Sequence, residues 1–109
     1  MPGIGSLYRT VQRDELEDIR DSGQLRTTSA TLEVKLLWTS RTDAERFGRL
    51  LGRQGIGPSW VVEVRAPTII LEQLPALTMD GRPTRVVEQG RLAWFNEHVE
   101  VLLPEKRET

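Results

Sequence analysis

Three kinds of side chain in this 109-residue chain could act together on one substrate: a guanidinium, a pair of hydroxyls and a late carboxylate. Arg9 directly follows the apolar–aromatic pair Leu7–Tyr8 in "SLYRTV", a strand-like stretch where a lone cation is costly unless an anion meets it. Two anions would serve. One is a bound phosphate, which a guanidinium grips bidentately while staying charged at any relevant pH. The other is an internal carboxylate, Glu63 or Glu100, across a sheet. Thr39 and Ser40 close "VKLLWTS", and Ser40 also stands three residues before Asp43, the spacing of a helix N-cap. Glu100 in "HVEVLLP" and Glu88 at the end of "TRVVE" are the carboxylates that late strands would carry. Tyr8 and Trp38 have rings that can stack on a ligand or fill a core.

The elements that must position these groups follow from pattern. "SLYRTV" reads as a strand. "RDELEDIRDSG" reads as a helix with Leu16 and Ile19 on one face, acids in the first turn and Gly23 as its stop. "QLRTTSATLE" reads as a loop from which Leu25 returns to the core. "VKLLWTS" is a second strand. It runs into the strongest helical pattern of the chain, where Ala44, Phe47, Leu50 and Leu51 recur at helical spacing. "WVVEVR" is a β-branched strand ended by Pro67. The stretch "TIILEQLPALTM" fits a strand and turn, or a short helix stopped before Pro75. "DGRP" marks a turn. "TRVVE", a short segment with Leu92 and Phe95 on one side, and the strand "HVEVLLP" complete the domain. The spacing predicts a compact α+β fold, a split β-sheet core with two main helices, in a single domain over 1–104, with a polar tail over 105–109.

Bulk composition limits the chemistry. There is no cysteine and one histidine, His98, which argues against thiol catalysis, disulfides, a histidine-based metal site and a Ser-His-Asp triad. A net charge of −1 gives no electrostatic case for nucleic acid or a membrane surface. The N-terminus lacks the pattern of a signal peptide, and no apolar run approaches a membrane span, so a soluble protein is expected, cytoplasmic or delivered into a target cell's cytoplasm by other machinery. Arg41, Arg46, Arg49 and Arg53 share one helix but are interrupted by Asp43 and Glu45, which reads as a solvated face. "GIG" at 55–57 leads into a strand and lacks a third glycine, so it reads as a loop.

In chain order, a strand with "LYR", a helix ending in Gly, a strand closing in "WTS", an amphipathic helix, a Val-rich strand and a last strand bearing Glu resemble the ADP-ribosyltransferase fold. The likeness is to the small bacterial toxin-type domains of its Arg–Ser–Glu class. It runs over most of the chain and is most specific in "LYRTVQRDELEDIRDSGQLR". The resemblance implies NAD as substrate. Arg9 would hold its pyrophosphate, and Tyr8, Thr39 and Ser40 would shape the cofactor cleft. Glu100, or else Glu88, would stabilise the oxocarbenium-like ribose as the bond to nicotinamide breaks. "EHVE" spaces its acids by three, so the Glu-x-Glu signature of arginine-modifying members is absent. The implied activities are ADP-ribosyl transfer to another acceptor, or NAD hydrolysis. The alternative implied by the same resemblance is a catalytically silent relative that binds a protein partner, with Trp60, Trp94 or Phe95 as exposed anchors.

Overall fold

The computed structural model describes residues 3–26 and 34–104. The expected tail over 105–109, and most of the expected loop after Arg26, lie outside the described residues. The chain folds into an α+β domain in the order β1 (Ile4–Val11), α1 (Arg13–Ser22), β2 (Val34–Trp38), α2 (Arg41–Arg53), β3 (Trp60–Pro67), α3 (Thr68–Leu71), β4 (Ala76–Met79), β5 (Arg82–Glu88), α4 (Leu92–Asn96) and β6 (Glu100–Leu102). The six strands form one antiparallel sheet in the order β4-β5-β2-β1-β3-β6.

The two halves of that sheet are unequally joined. β1 pairs with β3 along its whole length, Ile4 opposite Pro67 to Val11 opposite Trp60. β2 pairs with β5 from Val34 opposite Glu88 to Trp38 opposite Thr84. Between β1 and β2, the register holds at one position, Tyr8 opposite Trp38. The sheet expected to be split is thus continuous, with a seam at its centre where the ladder has parted.

Alternation along the strands sends successive side chains to opposite faces. Leu7 and Val11 of β1, Leu37 of β2, and Val62, Val64 and Ala66 of β3 face one side. There they meet Leu16 and Ile19 of α1, Leu71 of α3, and Leu92 and Phe95 of α4 in the main core. The spacing of Leu16 and Ile19 gives α1 its apolar stripe. Gly23 ends α1 in the left-handed region at φ 73°, donating its N–H to the carbonyl of Ile19. Leu25 is fully buried, and Asn96 holds it in place: its Oδ1 accepts the Leu25 N–H (3.1 Å) and its Nδ2 donates to the Leu25 carbonyl (2.8 Å).

α2 covers the other face. Its Ala44 is buried, Trp38 packs its ring against Phe47 at 4.6 Å, and Thr10 Oγ1 donates to the Ala44 carbonyl at 2.6 Å. The domain is therefore three layers, with the sheet between α2 and the group α1, α3 and α4. The ambiguous stretch after Pro67 resolves as both a short helix and a strand. Leu71 of the helix and Leu74 in the turn after it are buried, and β4 then pairs with β5 through a tight turn at Asp80 (φ 54°) and Gly81 (φ 75°). Among the described residues, no helix is long and apolar enough to cross a membrane.

Candidate functional site

Arg9 has the same parity as Leu7 and Val11, so it projects onto the α1 face, as the costly cation of the first strand. Its anion is Glu15, in the first turn of α1. The pair is bidentate, with Nε to Oε2 at 2.6 Å and Nη2 to Oε1 at 2.9 Å, and the third edge of the guanidinium donates through Nη1 to the Leu36 carbonyl at 3.1 Å. That last bond spans the seam: where the β1–β2 ladder stops, the Arg9 side chain supplies a donor to the abandoned β2 backbone. The Nζ of Lys35, itself fully buried, stands 3.6 Å from Glu15 Oε2. Burial pushes the Glu15 carboxyl up, but the hydrogen bonds and charge of Arg9, with the charge of Lys35, outweigh it and hold the group below the usual glutamate range.

An open cleft of about 530 Å³ lies along this seam, with Arg9, Asp14 and Glu15 on one wall and Trp38, Phe47 and Leu51 on the other. It joins a guanidinium, an ionised carboxylate and an aromatic pair. The internal partners expected for Arg9 were Glu63 or Glu100. The structure corrects this, because both acids have the opposite parity and face α2.

The remaining expected residues separate in the same way. Tyr8 projects to the α2 face, where the Arg41 guanidinium lies over its ring at 5.1 Å. Trp38 is 2% exposed and serves the core under α2. Ser40 caps α2, accepting the Asp43 N–H at 3.1 Å, and Thr39 is exposed. Both lie past the Tyr8–Trp38 pair, on the side away from the seam opening. Glu100 is exposed at the β6 edge opposite Arg65, and Glu88 is exposed at the far end of β5 opposite Val34. The structure brings neither acid to Arg9. Of the anchors considered for a binding protein, Phe95 is fully buried and excluded from that role, while Trp60 and Trp94 are half-buried.

A second concavity, of about 950 Å³, opens between α2 and the β3–β6 edge. Its charged lining comprises Arg41, Arg49, Arg65, Glu45 and Glu63. Glu63 accepts from Ser6 Oγ at 2.7 Å and from Arg65 Nη2 at 3.1 Å, and Arg41 Nη2 stands 3.6 Å away. The Ser6 hydrogen bond, then those two arginines, hold its carboxyl low against some burial. A Cβ at Gly48 would stand 2.5 Å from Ser59 Oγ, so any side chain there would require the Ser59 hydroxyl to move. Among the described residues, no group of His, Asp and Glu is placed to hold a metal ion.

Neither Glu15 nor the Glu63 cluster was expected from the sequence. Glu15 was visible only as a helix-start acid, yet a strand, a one-residue turn and a helix bring it back over residue 9. Glu63 was offered, with Glu100, as an internal partner for Arg9, and its register opposite Tyr8 places it on the other face. The chain matches no protein-family model, no curated protein and no solved structure.

Proposed function

We propose that this chain is an ADP-ribosyltransferase-like domain of the bacterial toxin type that consumes NAD in the cytoplasm, transferring ADP-ribose to a macromolecular acceptor or to water. The observation that supports the reading is the seam: a guanidinium on the first strand lines an open cleft beside an ionised glutamate and an aromatic wall. In this reading, the NAD pyrophosphate displaces Glu15 from the Arg9 fork, and the freed carboxylate, kept ionised by Lys35, faces the ribose. The C1′–N bond then breaks with its electron pair leaving on nicotinamide. The carboxylate stabilises the cationic ribose, and an acceptor oxygen attacks C1′ and loses its proton.

Glu15 takes the role that the sequence offered to Glu100 or Glu88, because it is the acid within reach of Arg9. The test is nicotinamide release from NAD by the wild-type chain and by Arg9→Ala, Glu15→Gln, Glu100→Gln and Glu88→Gln. Turnover lost in the first two and kept in the last two supports the seam. Loss with Glu100→Gln alone returns the role to β6, and no turnover by the wild type removes the enzyme reading.

Two observations favour a second reading, a catalytically silent relative acting as a protein-binding regulator: Arg9 already has a bidentate anion, and Ser40 already caps α2. No heat of NAD binding, together with a partner that co-purifies and is released by Trp94→Ala, is the outcome that reading requires.

A further inference from the structure

The concavity between α2 and β3 is built around a carboxylate that a catalytic role would leave available, yet here it is spent on holding two guanidiniums. Glu63 receives one nitrogen from Arg65, and one nitrogen of Arg41 stands beside its other oxygen. A guanidinium has five N–H donors in a fixed fork, so most of each fork remains to be used. Both side chains are 46% exposed, and Arg41 is further fixed over the Tyr8 ring. Arg49, two turns along α2 from Arg41, brings a third guanidinium to the same wall.

The lining therefore carries three cations against two carboxylates, Glu45 and Glu63, an excess of one positive charge, and Glu63 is held between two of the three guanidiniums. Glu45 and Ser59 line the same concavity. Pro58, Leu102 and Leu103 give it an apolar rim. A carboxylate and a hydroxyl in one concavity with three guanidiniums suit a ligand that has both anionic oxygens and hydroxyl donors. The volume, about 950 Å³, suits a ligand of nucleotide size.

We infer that the α2–β3 cleft binds a nucleoside phosphate: Arg41, Arg49 and Arg65 grip the phosphate oxygens, and Glu45 and Ser59 take sugar hydroxyls. The site faces the opposite side of the sheet from Arg9 and does not rest on the NAD-consuming reading.

The experiment is calorimetric titration of the full chain with ADP at low salt, followed by competition with inorganic pyrophosphate. Saturable one-to-one binding is expected. Arg65→Ala and Arg49→Ala should each weaken it about tenfold or more, the scale of one charged hydrogen bond. Arg20→Ala, an exposed cation of α1 on the opposite side of the sheet, should leave it unchanged, and pyrophosphate should displace ADP. Arg49 and Arg65 are exposed, and an unchanged thermal midpoint verifies that their variants fold. Absence of saturation at millimolar ADP, affinity unmoved in both the Arg49 and Arg65 variants, an equal loss in Arg20→Ala, or failure of pyrophosphate to compete would each overturn the assignment. Nicotinamide release from NAD is a separate measurement, so failure here and failure of the NAD-consuming reading are read separately.

Discussion

Tyr8 and Arg9 are consecutive, yet their side chains leave β1 on opposite faces: Arg9 meets Glu15 under α1, and the Tyr8 ring lies beneath the Arg41 guanidinium on the α2 side. Two polar clusters are thereby separated by the thickness of the sheet. Each has its own carboxylate, Glu15 in one and Glu63 in the other, and each can be tested alone.

Removing the acid of the inner cluster should be severe. In Glu15→Gln, the Arg9 guanidinium, 11% exposed, keeps its place but loses its counter-charge. Breaking one side of a buried pair costs about 3–5 kcal/mol. Chemical denaturation should show this loss, and Arg9→Met combined with Glu15→Gln should recover part of it. Additive losses in the double variant would show that the two side chains are not coupled.

Acid should act on the same group. Glu15 is depressed in the folded chain, so between its folded value and the ordinary glutamate value of about 4.5 the unfolded chain binds more protons. Stability contributed by Glu15 is then complete above about pH 4.5 and is lost as the pH falls through the folded value. Thermal melts from neutral pH downward should fall below that point, and Glu15→Gln, where it folds, should show a shallower acid limb. A variant that tracks the wild type in parallel would refute the assignment.

The two hydroxyls of "WTS" should part company. Ser40→Ala removes the oxygen that accepts the Asp43 N–H and should cost about 1 kcal/mol, the usual worth of an N-cap. Thr39→Ala should change stability little, since Thr39 is exposed. If Ser40 serves only α2, NAD turnover per folded molecule will be the same in Ser40→Ala as in the wild type.

Asn96 should matter through Leu25. Its amide makes both hydrogen bonds to the Leu25 backbone, as an adjoining strand would. Asn96→Asp keeps the acceptor and loses the donor, while Asn96→Leu loses both. Amide exchange at Leu25 should accelerate in the order wild type, Asp, Leu, with a loss of about 1–3 kcal/mol for the last. Equal protection in all three would mean that burial alone fixes the segment.

Much of the scaffold was legible because its signals are local. Helical spacing of Leu16 and Ile19, the Gly23 stop, the Ser40 cap and the β-branched run at 60–65 each fix an element without reference to the rest. β4 was not legible: Ala76, Leu77 and Thr78 are all exposed on an edge strand, so no alternation of burial is written into them. The candidate site was legible in its chemistry and not in its pairing. Arg9 demanded an anion, but which acid answers depends on the return of α1 over β1, and that is a tertiary fact. The parity of Tyr8 and Arg9 was available from period two alone, and it separates Arg9 from Glu63 and Glu100 once register is known.

The outermost strands have a consequence for behaviour in concentrated solution. β4 has four residues and follows Pro75; β6 has three and runs into Pro104 after Leu103. A proline has no N–H to offer an incoming chain, and so short an edge gives few rungs for another copy to extend. The sheet is thereby terminated at both rims, which protects the apolar interior of a small domain from edge-to-edge aggregation.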